Sequence, residues 1–259
     1  MKHILLTGAT GRIGASFFES AKDRYHFRLA ARRIERLQNP GEHETMRLDV
    51  ADLGACQSAC QGMDVVVHLA ADPSPSADFY GSLLDNNLKG AYNIFRAAAD
   101  QGCRRVVYAS SIQIIEGYPL DVQARPDMPV RPVNMYGACK AFGEATAHYF
   151  AAVEKLSSLV VRIGNYQGNS DSMEADGRRL SAWISERDMN QLFSRCVEAP
   201  PDLMFGIFQG VSDNRFKRMD ITADRELLGY APQDDSFRFF ATGIQYRDRW
   251  YEEAPRTRE

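Results

Sequence analysis

The chain has 259 residues, which fits one α/β domain or one large domain with a small appendage. Its 31 lysines and arginines nearly balance 34 aspartates and glutamates, so no global basic field attracts nucleic acid or an anionic membrane. No stretch approaches the roughly 18 continuous apolar residues of a membrane span, and five scattered cysteines favour reduced thiols. The cysteines and histidines lack metal-ligand spacing, so no metal site is predicted. These features favour a cytoplasmic protein that acts on a small molecule.

Short apolar runs alternate with helix-period segments through the first two-thirds of the chain. The predicted strands are residues 3–7, 27–31, 45–49, 65–69, 105–110 and 158–163. The predicted helices are residues 13–22, 53–61, 79–101, 136–156 and 180–198, the third with a loop at its start. This alternation predicts an α/β fold, a doubly wound parallel sheet of the Rossmann type. Residues 1–164 are expected to form its core, and residues 165–259 a small lobe that covers the substrate, packs on the core and ends in a polar tail at 252–259.

A glycine-rich segment, Gly8-Ala9-Thr10-Gly11-Arg12-Ile13-Gly14, joins the first predicted strand to the first predicted helix. Glycine permits positive φ and lets the backbone approach a pyrophosphate, whose charge is met by amide groups and the helix dipole. A glycine triplet alone is a weak signal, but its place between a strand and a helix strengthens it. The segment is therefore predicted to bind a dinucleotide.

Two further segments follow predicted strands and fit the course of that dinucleotide. Asp49 and Val50 come after the third strand, and we expect them to contact the adenine through a carboxylate and a backbone group. Alternatively, Asp49 caps the next helix. Leu69, Ala70 and Ala71 follow the fourth strand and offer small residues where a cofactor passes close to the main chain.

The second predicted strand is followed by Arg32 and Arg33, at the place where an NAD site usually has an acidic residue for the ribose 2′-hydroxyl. Guanidinium groups suit a 2′-phosphate instead, and Arg12 is a candidate to join them. The charge pattern favours NADP(H) over NAD(H). The alternative is that these arginines are only solvated.

A tyrosine and a lysine, Tyr136 and Lys140, are four residues apart and so lie on one face of a predicted helix. An ammonium close to a phenol stabilises the phenolate and moves its pKa towards neutrality, so the tyrosine can remove a hydroxyl proton. Ser111 lies 25 residues before Tyr136 at the carboxyl end of the fifth strand. Its hydroxyl is placed to hold the reacting oxygen, so these three side chains are predicted to be catalytic.

In this order the segments resemble the extended short-chain dehydrogenase/reductase family, also described as NAD-dependent epimerase/dehydratases, over about residues 2–200. The resemblance implies that the glycine turn holds the pyrophosphate and that Ser111 and Tyr136 act on the substrate. It also implies that Lys140 binds the nicotinamide ribose. Asn87 matches the family's structural asparagine, which supports the lysine through its backbone and a water.

Two further segments, Val161-Arg162-Ile163-Gly164 and Arg178-Arg179-Leu180-Ser181-Ala182-Trp183-Ile184-Ser185, narrow the resemblance. On these the chain resembles the uronate dehydrogenase branch of the family, which oxidises the anomeric carbon of a uronate. That likeness implies that Arg178 binds a substrate carboxylate and that further substrate contacts come from Ser74, Ser111, Ile112, Gln113 and Asn165. Ile112, Gln113 and Asn165 depart from the residues of that branch. A different substrate or cofactor preference is therefore the second interpretation.

The predicted activity is hydride transfer between a sugar or sugar acid and NAD(P), with Ser111, Tyr136 and Lys140 as the reacting group. The alternatives are a nucleotide-sugar epimerase or dehydratase that retains its cofactor, a carbonyl reductase, and a non-catalytic dinucleotide sensor. The resemblance also implies a homodimer, because family members often pair through the long helices that correspond to residues 79–101 and 136–156.

Overall fold

The computed structural model describes residues 1–166 and 176–240. Its strands are β1 (His3–Thr7), β2 (His26–Ala31), β3 (Glu44–Arg47), β4 (Val65–His68), β5 (Arg105–Ser111), β6 (Ser157–Ile163), β7 (Asn165–Tyr166), β8 (Trp183–Ile184) and β9 (Phe205–Gly210). Seven of them form one sheet in the order β3-β2-β1-β4-β5-β6-β9, with every neighbouring pair parallel. The predicted doubly wound α/β fold is confirmed.

Helices flank this sheet on both faces. They are α1 (Arg12–Ala21), α2 (Leu53–Cys60), α3 (Gly90–Asp100), α4 (Met135–Ala152), α5 (Gly177–Ala182), α6 (Glu186–Glu198), α7 (Thr222–Leu228) and α8 (Ser236–Phe240). A wide π-helical segment, Phe79–Lys89, runs directly into α3, so the loop predicted at this point is wrong. The Asp78 carboxylate caps that segment by accepting from the Gly81 amide at 2.6 Å. Within residues 1–166 and 176–240, none of the helices combines the length and the apolar composition that a membrane span requires.

Two apolar clusters pack against opposite faces of the sheet. One includes Ile4 and Leu6 of β1 with aromatic side chains of α1 and α6. The other includes Leu5 of β1 with side chains of α2, α3 and α4. Alternate residues of β1 thus face opposite sides, as expected for a strand buried on both faces. All five cysteines are buried and none forms a disulfide.

The sheet reverses its direction of growth at β1, which pairs with both β2 and β4. The chain first builds outwards through β2 and β3, and then returns to β4 on the other side of β1. Loops that leave β1 and β4 therefore diverge, and the carboxyl ends of these strands border a crevice. Ligands of open α/β sheets bind at such a point.

The predicted helix at residues 180–198 is wrong as a single element, because it is divided into α5, β8 and α6. Ser185 begins α6, since its hydroxyl accepts from the Asp188 amide at 3.1 Å. The two residues before it, Trp183–Ile184, pair with β7. A serine followed three residues later by an acidic side chain is a helix-start pattern that the periodicity concealed.

The core sheet extends beyond residue 164, where the sequence predicted its end. Strand β9 pairs with β6, with Val161 opposite Phe208, and the Phe208 side chain is fully buried. Helix α6 packs against α1 on the first face of the sheet. The C-terminal third therefore contributes a strand and a helix to the core, in addition to segments beside the crevice.

Candidate active site

A cleft of about 820 Å³ lies at the carboxyl ends of the strands. This volume is within the range of small-molecule sites. The predicted site residues that line it are Gly8, Gly11, Arg12, Ile13, Gly14, Arg32, Arg33, Val50, Leu69, Ala70, Ala71, Ser111, Ile112, Gln113, Tyr136, Lys140, Asn165 and Arg178. Three predicted residues, Asp49, Ser74 and Asn87, do not line it.

The glycine turn at one end of the cleft is closely packed. Gly8 has φ +71°, and a Cβ atom there would lie 2.8 Å from the Ala70 amide nitrogen. A Cβ atom on Gly14 would lie 2.4 Å from the Gly8 carbonyl oxygen, so α1 can approach β1 only without a side chain. No side chain caps the N-terminus of α1, and its first turn has no acidic residue. The amides that begin α1 therefore suit an anionic group in the cleft.

Val50 lies in the cleft, and two residues of α3 contact it there. The Asn93 side chain donates to the Val50 carbonyl at 3.0 Å, and a Cβ atom on Gly90 would come within 2.6 Å of the Val50 side chain. The alternative role predicted for Asp49, a helix cap, is wrong. Asp52 caps α2 by accepting from the Ala55 amide at 3.0 Å, whereas exposed Asp49 accepts from the Ala51 amide at 3.0 Å.

Three exposed arginines, Arg12, Arg32 and Arg33, line the cleft beside the glycine turn. We call them the open arginine cluster, because no carboxylate of the described residues forms an ion pair with any of them. The cleft beside them is also lined by small residues such as Ala30 and Ala31. The cluster can therefore bind a further anionic group in addition to the pyrophosphate.

Ser111, Tyr136 and Lys140 lie together in the middle of the cleft, and all three are buried. The Lys140 ammonium donates to the Ala109 carbonyl at 2.7 Å and lies 5.1 Å from the centre of the Tyr108 ring and 5.8 Å from that of Tyr136. Gly143, one turn after Lys140, makes this arrangement possible. A Cβ atom there would collide with the Tyr108 hydroxyl at 2.1 Å.

The acid–base properties of these side chains are set mainly by burial. Burial raises the pKa of Tyr136, the charge of Asp72 raises it further, and a hydrogen bond with Ser111 lowers it. Burial also lowers the pKa of Lys140 to about 8. The sequence predicted a Tyr136 pKa moved towards neutrality, and in the protein alone this is wrong. The reason is that loss of solvent around the phenol outweighs a lysine whose ammonium is bonded to a backbone carbonyl.

A buried ion pair lies directly beneath the reacting side chains. The Arg162 guanidinium on β6 contacts the Glu144 carboxylate on α4 through two hydrogen bonds, at 3.0 and 2.8 Å. The Ser110 hydroxyl donates to the same carboxylate at 2.6 Å. Because Ser110 precedes Ser111, these bonds fix the end of β5 relative to the helix that carries Tyr136.

Asn87 contacts a loop rather than the lysine. Its side-chain amide donates to the Asp72 carbonyl at 3.0 Å and accepts from the Asp72 amide at 2.8 Å. Support of Lys140 through the Asn87 backbone stays a prediction. Asp72 in turn accepts from the Ser74 amide at 3.0 Å, and Ser74 bonds to Ser76 at 3.1 Å. Ser74 is thus part of a hydrogen-bonded loop beside the cleft, and its contact with substrate also stays a prediction.

Gln113 lies at the far end of the cleft in an orientation that its neighbour fixes. Asn134 caps α4 by accepting from the Gly137 amide at 2.8 Å. The other atom of the Asn134 side-chain amide is therefore a nitrogen, which donates to the Gln113 Oε1 at 2.7 Å. Gln113 consequently keeps its own –NH₂ group as a donor for a ligand.

The same end of the cleft has two arginines that already contact acids. Arg178 pairs with Glu116, and Arg179 lies 3.2 Å from the Asp176 carboxylate. We call Arg178 and Arg179 the paired arginines. The predicted contact residue Asn165 is nearby, since β7 pairs with β8 directly after α5. Glu116 also lines the cleft.

Two residues at this end of the cleft, Asn134 and Glu116, were not predicted from the sequence. Asn134 had a recognisable signal, because an asparagine just before a predicted helix is a usual cap. Glu116 had none. It follows an apolar run, and only the folded chain brings it to Arg178, 62 residues further on.

The sequence profile of the NAD dependent epimerase/dehydratase family matches residues 4–203. The NAD-dependent glucose-6-phosphate dehydrogenase of Haloferax volcanii is 35% identical over 93% of this chain and 96% of its own length. The uronate dehydrogenase of Pseudomonas syringae pv. tomato is 30% identical over 92% of this chain and 84% of its own. The crystal structure of uronate dehydrogenase from Agrobacterium tumefaciens superimposes with a TM-score of 0.82, at 30% identity over 96% of this chain and 92% of that one.

The parallel sheet with a glycine turn at its reversal point defines a dinucleotide-binding α/β protein. The chain belongs to the NAD dependent epimerase/dehydratase family. It is an NAD(P)-dependent oxidoreductase, and the resemblance to uronate dehydrogenases inferred from sequence is confirmed.

Proposed function

We propose that the chain oxidises the anomeric hydroxyl of a sugar to a lactone, with NADP⁺ as the hydride acceptor. One observation carries this proposal: hydrogen-bonded Ser111 and Tyr136, with buried Lys140, lie in the middle of the cleft. One side of them has groups for a phosphorylated cofactor, and the other has polar groups suited to a small polyol. The sugar and uronate dehydrogenases among its relatives support this substrate class.

The cofactor end fits NADP better than NAD. The uncapped start of α1 suits the pyrophosphate, and the open arginine cluster suits a phosphate on the adenosine ribose. Neither Arg32 nor Arg33 forms an ion pair with a carboxylate of the described residues. When bound, the nicotinamide accepts a hydride from the substrate carbon.

Residues of the protein remove the proton of the substrate hydroxyl. In this proposal the Ser111 hydroxyl holds the reacting oxygen, and the Tyr136 oxygen, once ionised, removes the hydroxyl proton as the hydride leaves the same carbon. Because burial raises the pKa of Tyr136, this step depends on groups that stabilise the phenolate. Lys140 attracts the phenolate, and the Ser111 hydrogen bond favours it too. Burial of all three excludes water and strengthens these interactions. The substrate loses one hydride and one proton, so a cyclic hemiacetal becomes a lactone.

The segments after β6 form the substrate side of the cleft in this proposal. Asn165, Tyr166 and residues of α5 line it opposite the glycine turn. Their position supports a substrate-covering role for this part of the chain. We also propose a homodimer, because aromatic side chains of two adjacent helices, Tyr92 on α3 with Phe142 and Tyr149 on α4, are exposed. A cytoplasmic location stays a prediction from the sequence.

The test is an assay of the purified protein with aldoses, uronates and simple carbonyl compounds, each with NADP and with NAD. Growth of reduced-nicotinamide absorbance with a sugar, together with a lactone product, is the expected result. Interconversion of nucleotide sugars without net cofactor reduction would instead identify an epimerase. Faster turnover of simple carbonyl compounds than of any sugar would identify a carbonyl reductase.

A further inference from the structure

A buried carboxylate lies in the wall of the substrate end of the cleft. Glu116 follows the short helical turn Ile112–Ile114 that continues from Ser111, and it lines the cleft. Its side chain is only 5% exposed, whereas that of its partner Arg178 is 50% exposed. Glu116 is therefore a fixed part of the wall, and Arg178 extends from it.

A second cation lies behind Glu116. Burial lowers the pKa of Arg218, and the negative charge of Glu116 opposes that effect. The Arg218 guanidinium donates to the carbonyls of Pro119 and Tyr118 at 2.9 Å each and does not line the cleft. Within the cleft, Arg178 is thus paired with the Glu116 carboxylate, and the neighbouring Arg179 is paired with the Asp176 carboxylate.

An anionic sugar has to compete with Glu116 for Arg178. If Arg178 turned fully towards a substrate carboxylate or phosphate, the buried Glu116 carboxylate would lose its ion-pair partner in the cleft, would keep only the more distant charge of Arg218 behind it, and would face a like charge from the substrate. A neutral sugar meets no such penalty. Its hydroxyl groups can donate to Glu116 and accept from Arg178 and Gln113 without separating the ion pair.

From this arrangement we infer that the substrate is a neutral aldose and that Glu116 excludes sugars with a carboxylate or phosphate on C6. The inference rests on the proposed sugar oxidation and specifies its substrate class. It assigns Glu116 as a specificity-determining residue, acting by repulsion as well as by hydrogen bonding.

The test compares sugars that differ only at C6: D-glucose with D-glucuronate and glucose 6-phosphate, and D-galactose with D-galacturonate. For the parent protein with NADP⁺, we expect kcat/KM to be roughly tenfold or more higher for each neutral sugar. Glu116→Gln keeps the shape and removes the charge. It should reduce this preference by roughly tenfold or more, mainly by raising kcat/KM for the uronates. Exposed Glu226 on α7 provides the matched control, Glu226→Gln, which should leave the preference unchanged.

Two results would overturn the inference while leaving the proposed function intact. One is a parent protein that oxidises a uronate or glucose 6-phosphate faster than the matching neutral sugar. The other is a folded Glu116→Gln protein, with unchanged melting temperature and NADPH affinity, whose preference equals that of the parent. If Glu116→Gln does not fold, the inference is tested by the parent protein alone, through its ratio of kcat/KM for each neutral sugar to kcat/KM for the matching uronate or phosphate. Absence of turnover with every sugar would reject the proposed function, and this inference with it.

Discussion

Arginine side chains lie at both ends of the cleft, and the two groups differ in what they contact. Arg12, Arg32 and Arg33 have no acidic partner among the described residues, whereas Arg178 and Arg179 each pair with a carboxylate. The arginines at one end of the cleft are thus available to a bound anion, whereas the charges of those at the other end are neutralised by carboxylates of the protein. Counting basic residues around a site says little about its ligand until their partners are known.

A third kind of cation, Lys140, lies between these two groups of arginines. Lys140 is buried, contacts no carboxylate of the described residues and donates to a backbone carbonyl. It lies beside Tyr136, where the two ends of the cleft meet. Each kind of cation therefore has its own expected response to mutation, and the following experiments separate them.

The largest effect is expected where the two ends meet. Tyr136→Phe removes the group that takes the proton and keeps the ring, so turnover should fall by a factor on the order of 10²–10⁴. NADPH affinity, measured by fluorescence titration, should stay within about twofold, because the cofactor contacts proposed for the glycine turn and arginines remain. Highly exposed Tyr80 gives the control, Tyr80→Phe. If the turnover of Tyr136→Phe stays within a few-fold of the parent, a group other than the Tyr136 hydroxyl takes the proton.

The second effect concerns Lys140 and the stability of the fold. Its pKa is about 8 in the folded protein against 10.5 in an unfolded chain, so between these pH values the unfolded state binds more protons. The free energy of unfolding of the parent should therefore rise with pH relative to Lys140→Met, by up to about 3 kcal/mol between pH 8 and pH 10.5.

Urea titrations of both proteins at several pH values measure that difference. The same comparison with Lys89→Met, at an exposed lysine, should show little dependence on pH. A constant difference between the parent and Lys140→Met across this range is incompatible with a buried ammonium.

The open arginine cluster gives the next effect. Replacing Arg32 and Arg33 together by alanine should weaken NADPH binding by about 2 kcal/mol, which is on the order of 30-fold, because a phosphate loses charge-assisted hydrogen bonds. NADH binding should change little. Calorimetry of both cofactors measures the contrast, with Arg104→Ala at a highly exposed arginine as control. Equal losses for NADH and NADPH, or a parent that prefers NADH, would remove the reason for assigning a phosphate to this cluster.

The smallest effect tests the donor that Gln113 presents beside the paired arginines. Asn134→Asp keeps an oxygen to cap α4 but has no donor for Gln113, so the glutamine amide should turn and present its oxygen to the cleft. We expect KM for the sugar to rise by roughly three- to tenfold with kcat and melting temperature nearly unchanged. Asn134→Ala, which also loses the cap, should in addition lose about 1 kcal/mol of stability. If Asn134→Asp leaves KM as it was, Gln113 does not donate to the sugar.

The sequence predicted those parts of the protein that depend on local pattern. The alternation of apolar runs and amphipathic segments indicated the first six strands of the sheet, and five of them are largely buried, as strands covered on both faces are. The exception is the edge strand β3, which is mostly exposed. The spacing of Gly8, Gly11 and Gly14 likewise placed the turn beside the cleft, since backbone approach requires glycine at particular positions.

Features that depend on distant parts of the chain were missed. Strand β9 contains two glycines, Gly206 and Gly210, and follows Pro200 and Pro201 closely, so its place beside β6 is decided by packing and not by periodicity. The pKa of Tyr136 depends on burial, which no spacing of Tyr136 and Lys140 reveals. The partner of Arg178 is far away in sequence, so the sequence does not reveal that an arginine predicted to bind a substrate carboxylate already contacts a carboxylate of the protein.

The ion pair between Glu144 and Arg162 separates two tasks that often compete when an enzyme is redesigned. It secures β5, β6 and α4 from below, while Gln113 lies in the helical turn Ile112–Ile114, Glu116 follows that turn, and Arg178 lies in the short helix α5. Substitutions at these three positions leave the bidentate bond and its link to Ser110 untouched. A library confined to positions 113, 116 and 178 can therefore vary the sugar that is accepted while the reacting groups keep their geometry, which makes this scaffold suitable for directed evolution.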